Sequence, residues 1–114
     1  MPERYFAGFP DGRLRFTPVP DVFFSELLPL IDDLAELKVT LWALWQLKGR
    51  RREPQFLALS ALRADGVLLA ALAADGATAL ERLEQALARA VTRGTLLRLE
   101  DAAGDQAWFF LNSE

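Results

Sequence analysis

Residues 76–112 read GATALERLEQALARAVTRGTLLRLEDAAGDQAWFFLN. Leu80, Leu83 and Leu87 recur at three- and four-residue spacing, which predicts a helix with one apolar side over residues 78–93. Arg93 in the last turn and Gly94 directly after it are typical of a helix C-terminus, because a glycine readily adopts the left-handed conformation that ends a helix. The chain therefore contains one well-defined amphipathic helix near its C-terminal end.

Two apolar runs follow this helix, at residues 95–99 and 107–111. The loop between them is acidic and contains Gly104, so the two runs predict a β-hairpin. A helix that leads directly into a hairpin, after two earlier helical segments, is the layout of a winged helix. We therefore predict an α+β fold, mainly α with a small β-sheet: a winged helix-turn-helix whose hairpin wing spans about 95–112.

The composition excludes most kinds of catalytic and metal site. The chain has 114 residues, 52% of them hydrophobic, which is enough for one domain with an ordinary core. Cysteine and histidine are both absent, so thiolate or histidine-assisted nucleophiles, disulfides and the usual zinc ligands are excluded. The glycines are isolated and form no phosphate-binding loop. We expect a protein that is not an enzyme and that uses no cofactor and no metal.

The first twenty residues differ from the rest and form a predicted N-terminal arm, followed by the winged-helix domain over 21–114. In the arm, residues 13–17 alternate polar and apolar side chains, which predicts a half-buried strand, and Pro18 and Pro20 suit a strand at a sheet edge. Two interpretations remain open. The arm lies on its own domain, or its strand pairs with another subunit because a single short strand has no evident partner in this chain.

Several polar residues in the middle of the chain suit the starts of helices. Asp21 suits the start of a short helix over 22–30 that Pro29 ends or kinks, and Asp32 or Asp33 suits the start of a longer helix over 34–48. Glu36 and Glu81 lie three residues after Asp33 and Thr78, as in a capping box. Between the two long helices we predict a brief strand at 55–59 and short helices at 61–65 and 67–74.

The helix over 34–48 is apolar around most of its circumference. Leucines, Trp45 and Lys48 follow one face, and Ala35, Val39 and Trp42 widen it. Such a helix must be covered on two sides, either by a small bundle or by another chain. We predict a homodimer or homotetramer formed through residues 14–45, with these contacts: Leu14, Phe16, Phe23, Phe24, Trp42 and Trp45. A small-molecule pocket lined by Trp42, Trp45 and Trp108 is a further, weaker alternative.

Basic residues offer a competing interpretation, a transcriptional regulator that binds double-stranded DNA directly. Its candidate DNA contacts lie at the end of the first long helix and along the second: Lys48, Arg50, Arg51, Arg52, Arg82, Gln85, Arg89 and Arg93. Glu81 and Glu84, however, lie at the end of the second helix that normally approaches bases, and the wing tip is acidic. The net charge of −3 also provides little attraction for phosphate. Charge therefore favours protein contact.

The order of apolar motifs resembles the amino-terminal domain of the DnaD family of bacterial replication-initiation (primosome) proteins. The resemblance lies in FTPVP at 16–20, the FF and LL pairs at 23–24 and 27–28, the helix over 34–47, and RGTLL at 93–97. It implies a winged helix with an extra N-terminal strand and helix that mediates self-association and contacts other replication proteins. DNA binding in that family resides largely in a separate C-terminal domain, so DNA would be bound weakly here or through another domain.

The sequence shows neither a secretory signal nor a membrane span, because Glu3 and Arg4 open it and no apolar run reaches about 20 residues. We expect a cytoplasmic, nucleoid-associated protein, and the chain is expected to be one domain of a longer protein.

Overall fold

The computed structural model describes residues 5–49, 55–73 and 78–112. Its regular elements, in chain order, are a π-helical turn Phe23–Leu27, a 3₁₀ turn Leu28–Leu30, α1 Leu34–Lys48, β1 Leu57–Ala58, α2 Leu59–Arg63, α3 Gly66–Leu72, α4 Ala79–Arg93, β2 Leu96–Glu100 and β3 Ala107–Leu111. The predicted fold class, mainly helical with a small antiparallel sheet, is confirmed at this level.

Helix α4 forms the centre of the core and has the two ends that the sequence predicts. Thr78 and Glu81 form a reciprocal capping box at its start. Gly94 has φ 95°, and its amide and that of Thr95 donate to carbonyls of the last turn. The apolar side of the helix is fully buried through Leu83, Ala86, Leu87 and Ala90.

The C-terminal hairpin is also present, and β1 extends it to three strands in the order β1-β3-β2. Leu96 of β2 pairs with Leu111 of β3, and the register continues to the pair of Glu100 and Ala107. Asp101 organises the connecting loop by accepting from the Gln106 amide at 3.2 Å. On the inner face of the sheet Phe109 is completely buried, so the sheet closes the core over α4.

Helix α1 begins as predicted, but only half of its predicted capping box forms. The Asp33 carboxylate accepts from the Glu36 amide at 2.9 Å, which satisfies a free donor of the first turn. The Glu36 carboxylate does not return to the backbone of Asp33. Instead it accepts from Nε and Nη2 of Arg93 at 2.5 and 3.1 Å, because α1 and α4 pack together.

The short helices differ in position and type from the prediction. Residues 22–30 form a π-helical turn and then a 3₁₀ turn rather than one α-helix, with Pro29 in the first turn of the second piece. Helix α2 begins at Leu59, two residues before the predicted start, and has no side-chain cap. Helix α3 begins at Gly66, one residue before the predicted start, and is capped by Asp65.

The predicted strand over 13–17 is not formed within the described chain. Residues 5–20 have no regular secondary structure, and almost all of their side chains are exposed. The alternation of polar and apolar residues is present, but a strand needs a hydrogen-bonded neighbour. Within the part of the chain that the structure describes, the arm therefore does not form a strand on its own domain.

Glu36 and Arg93 form a buried ion pair that links the start of α1 to the end of α4. The Glu36 side chain is 0% exposed and that of Arg93 is 22% exposed. A second carboxylate oxygen, Oδ1 of Asp32, lies 3.8 Å from Nη2 of Arg93. The hydrogen bond to Glu36 raises the pKa of Arg93 above its ordinary value, so its guanidinium stays charged at any pH at which proteins fold. The two helix ends are thus joined by two charge-assisted hydrogen bonds.

We expect Glu36→Gln to lower the thermal midpoint of unfolding by roughly 10 °C, because it leaves the Arg93 charge without its buried partner. The matched control is Glu84→Gln, which breaks the 3.0 Å pair with Arg63 where both side chains are about half exposed. That change is expected to cost at most about 1 kcal/mol of unfolding free energy. Calorimetry or circular dichroism measures both, and equal losses would contradict a special role for Glu36.

Candidate self-association surface

Helix α1 has two apolar faces, and the core covers only one of them. The inner face packs into the core cluster through the small residues Ala35, Val39 and Ala43 and the larger Leu47. Because successive helical residues are separated by about 100°, Leu34, Leu41 and Trp45 lie on the opposite side. They are 65%, 42% and 47% exposed. We call these three residues the outer ridge.

The helical segment before α1 adds more exposed apolar surface. Of its aromatic pair, Phe23 is buried and Phe24 is half-exposed, and their rings meet edge to face at 5.0 Å. The other exposed apolar side chains of this region are Val22, Leu28 and Leu30. An apolar surface that extends over two neighbouring elements is typical of a protein-protein interface rather than of a free surface.

The outer ridge is held in a fixed orientation by contacts on its flanks. Trp45 packs edge to face against Trp42 at 5.0 Å, and Trp42 in turn packs against the main core. Lys38, which lies beside the ridge, donates from Nζ to the Ala71 carbonyl at the end of α3 at 2.7 Å. The ridge is therefore a preformed surface, which lowers the entropic cost of binding.

The N-terminal arm contributes exposed aromatic rings. Tyr5, Phe6, Phe9 and Phe16 all lie largely in solvent, and Phe6 and Phe9 contact one another edge to face at 5.0 Å. The arm meets the end of α1 at Thr17, whose hydroxyl lies close to Gly49. The base of the arm thus lies beside the C-terminal end of the outer ridge.

The predicted interface residues separate into two groups in the structure. Leu14, Phe16, Phe24 and Trp45 are exposed and open to a second chain. Phe23 is only 5% exposed and Trp42 packs against the core, so both serve the interior of their own chain. The sequence could not separate these groups because adjacent aromatic residues fit either face of an apolar helix equally well.

The predicted DNA contacts are similarly divided. Lys48, Gln85 and Arg89 are exposed, whereas Arg82 is half-buried and Arg93 is held by Glu36. Arg50, Arg51 and Arg52 lie outside the described residues. The structure therefore brings Gln85 and Arg89 together on the free side of α4 but directs Arg93 to the interior.

The charge around the exposed side of α4 is not basic. Glu81 and Glu84 are exposed there, and Glu84 is paired with Arg63. In the wing, Arg98 is paired with Glu100 at 2.7 Å, so it neutralises one of the wing's own acids. This surface offers little net attraction for a phosphate backbone.

One open groove of about 400 Å³ lies between α2 and the hairpin loop, lined by residues that include Ser60, Arg63, Asp105 and Trp108. It contains neither Trp42 nor Trp45, so it is not the predicted three-tryptophan pocket. Over the described ranges, no cluster of carboxylates is arranged to hold a metal ion, and none of the helices has the length and apolarity to cross a bilayer.

Two surface features escaped the sequence analysis. The outward position of Leu34 and Leu41 was missed because they were assigned to one broad apolar face with no indication of which part meets the core. Leu97 and Leu99 of β2 are also half-exposed, on the face of the sheet opposite the core. Leu97 and Leu99 share a face because successive side chains of a strand alternate, but the apolar run in the sequence did not indicate that this face lacks a covering layer.

Comparison of the chain with known protein families, with curated proteins and with solved structures finds no significant match.

We expect Gly49→Ala to disturb the junction of the arm and α1. A Cβ at this position would lie 2.6 Å from the Trp45 carbonyl oxygen and 2.7 Å from the Thr17 hydroxyl, so the arm must shift. The expected result is faster tryptic cleavage after Arg15 and a loss of about 1–2 kcal/mol of unfolding free energy.

Gly66→Ala is the matched control, since a Cβ there meets no atom within 4 Å. Its stability should stay the same or rise slightly, because alanine is the better helix former. Unchanged cleavage in Gly49→Ala would show that the arm is not held at Thr17.

Proposed function

We propose that this chain is a non-enzymatic self-association domain of winged-helix architecture that serves a DnaD-like DNA-replication initiation protein. The single observation that carries the self-association is the outer ridge of α1 together with the exposed apolar side chains of the preceding helical segment. A partner chain of the same kind would cover this surface, and the other replication proteins of such a system would bind elsewhere on the assembly.

The free energy of association would come from the apolar area of this surface that a partner covers. Each Å² of apolar surface that leaves water contributes about 25 cal/mol, so a standard interface of about 800 Å² per partner provides much more than an ordinary dimer needs before its entropic costs. The fixed orientation of Trp45 and Lys38 keeps those costs low.

The topology supports the winged-helix part of the proposal. Along the chain, α1 is followed by a strand, then by helices, and then by two strands. In the sheet, the first strand lies beside the last, in the order β1-β3-β2. This arrangement is expected of a winged helix. The connection with replication rests on the resemblance of residues 16–20, 23–28, 34–47 and 93–97 to the DnaD pattern. The proposed cytoplasmic, nucleoid-associated location follows from the same resemblance.

The alternative function, direct binding of duplex DNA through α4, has two exposed residues in its favour, Gln85 and Arg89. Against it stand the exposed Glu81 and Glu84 on the same helix and the acidic wing tip. The Arg93 guanidinium is held by the buried Glu36 carboxylate and its side chain is only 22% exposed, which leaves it less available for a phosphate contact. The charge distribution thus supports protein contact over DNA reading.

We expect the wild-type chain to have at least twice its monomer mass at micromolar concentration, and Leu41→Glu to raise the dissociation constant at least about tenfold. The physical reason is that a glutamate on the outer ridge would have to lose its hydration in the interface. Light scattering coupled to size exclusion, or analytical ultracentrifugation, measures both quantities.

Val67→Glu provides the control, because it places the same charge at an exposed apolar position on α3. Its assembly should equal that of the wild type, and circular dichroism should show all three chains folded. A wild-type chain that stays monomeric at 100 µM would contradict the proposed function.

We expect no shift of a labelled random duplex at about 50 mM salt and micromolar protein, because phosphate attraction is strong under these conditions yet this surface lacks net positive charge. An electrophoretic shift that Arg89→Glu abolishes and Glu84→Gln strengthens would instead establish the alternative function.

A further inference from the structure

Strand β2 is an edge strand whose outer side is open. The sheet order β1-β3-β2 places it at one border, and in the described chain only β3 pairs with it. Its register with β3 continues without a bulge from Leu96 to Glu100, and the strand contains neither proline nor lysine. It therefore lacks several of the features with which proteins protect an edge strand from pairing with another chain.

The hydrogen bonds of the hairpin show which backbone groups of β2 face outwards. The amide of Asn112 donates to the Thr95 carbonyl at 3.0 Å, and the amide of Asp101 donates to the Gln106 carbonyl at 3.1 Å. Hydrogen-bonded pairs alternate along an antiparallel ladder, so the odd-numbered residues from 95 to 101 direct their backbone groups to β3. The even-numbered residues from 96 to 100 therefore direct theirs to the open side.

The side chains of β2 divide into an apolar and a charged group. Leu97 and Leu99 lie half-exposed on the outer face of the sheet. Arg98 and Glu100 lie on the opposite face, where Arg98 Nε and Glu100 Oε2 are 2.7 Å apart and both side chains remain partly exposed. The helices therefore do not cover this border of the inner face, which leaves a second strand room to approach.

We propose that β2 of one copy pairs antiparallel with β2 of a second copy, with a two-fold axis at Leu99. In this register Arg98 lies opposite the partner's Glu100, and Glu100 lies opposite the partner's Arg98. The outward amide and carbonyl groups of both residues then bond across the axis, and the two sheets become continuous. This contact uses a surface separate from the outer ridge of α1 and does not depend on it.

Charge selects this register among those that the outward backbone groups allow. A two-fold axis at Arg98 or at Glu100 would satisfy the same backbone pattern, but it would place two like charges directly opposite each other. Like charges destabilise a cross-strand pair, whereas opposite charges stabilise it. The closest contact within each chain involves only Nε of Arg98, so the Nη atoms can donate to the partner's Glu100. Each arginine then lies between two carboxylates.

The same register brings apolar side chains together on the outer face. Leu99 lies opposite the partner's Leu99 in a non-hydrogen-bonded pair, which is where cross-strand side chains are closest. On its other side Leu99 is paired with Trp108 of β3. The two leucines at the axis are thus flanked by an indole from each copy. Backbone hydrogen bonds supply the attraction in such strand addition, and these alternate side chains specify the partner.

Single cysteines test the register, because the chain contains no cysteine of its own. Leu99→Cys should form a disulfide-linked dimer under mild oxidation, since equivalent Cα atoms of a non-hydrogen-bonded pair lie about 4.5 Å apart. Leu97→Cys is the matched control, because it is a half-exposed leucine on the same strand and face. Its two equivalents would lie about 14 Å apart along the strands and should not link. Non-reducing electrophoresis measures both.

Charge changes test the ion pairs between copies. Arg98→Glu makes both edge charges acidic and Glu100→Arg makes both basic, so neither variant should pair with itself through β2. In a mixture every acidic residue faces a basic residue of the other chain, so pairing should return. The ion pair within each chain is lost in both variants, so recovery on mixing can come only from contact between chains.

With Leu99→Cys added to both charge variants, disulfide formation reports the pairing. The mixture should give at least about ten times more linked dimer than either variant alone. Mass spectrometry identifies the mixed dimer by its mass, and circular dichroism checks that each variant is folded.

The outcomes separate this pairing from the contact proposed for α1. Linking of Leu99→Cys but not of Leu97→Cys, with recovery on mixing the charge variants, supports the pairing even if Leu41→Glu leaves assembly unchanged. An assembled protein in which Leu99→Cys does not link, or in which Leu97→Cys links equally well, overturns the pairing and leaves association through α1 in place. The absence of recovery on mixing also overturns it. A monomeric wild-type chain overturns both proposals.

Discussion

The outer and inner sides of α1 are both apolar, and one small domain can cover only one of them. The inner side presents Ala35, Val39 and Ala43, whose small side chains let α1 lie close to α4. Of the larger side chains, Leu44 and Leu47 are buried, whereas Leu34, Leu41 and Trp45 remain exposed on the outer side. Large apolar residues usually occupy a core, because they gain the most from leaving water. Their position here makes sense if the helix has a second layer to meet, which the chain alone does not provide.

The Glu36–Arg93 pair determines which side of α1 faces inwards. A buried ion pair adds little stability over apolar residues of similar size in its place. A rotation of the helix, however, would leave a buried charge without its partner. Glu36 lies on the same side of α1 as Val39 and Ala43, so the pair fixes the small residues against α4. The same constraint turns Leu41 outwards. An apolar pattern alone would allow α1 to rotate about its axis, and the buried charge removes that freedom.

Structural features that depend only on residues close together in the sequence could be predicted from it. Features that depend on packing between distant residues could not. Thr78 with Glu81, and Gly94, contain their own start and stop signals, so the bounds of α4 were correct. The predicted strand at 13–17 had no such support, because its formation depends on a neighbouring strand. Glu36 was assigned to a cap since nothing in the sequence relates it to a residue 57 positions away. The candidate surface was predicted on α1, and which of its apolar residues are exposed could be seen only in the packed structure.

The geometry of α1 also decides what remains accessible after association. The residues that meet α4 and those of the outer ridge lie about half a turn apart on the helix, so a partner on the ridge approaches from the side opposite α4. Helix α4 and the wing would therefore stay exposed in a dimer. The wing has half-exposed Leu97 and Leu99, an apolar pair suited to contact with a protein rather than with a nucleic acid. If the chain assembles through α1 as proposed, this second surface stays free for another protein.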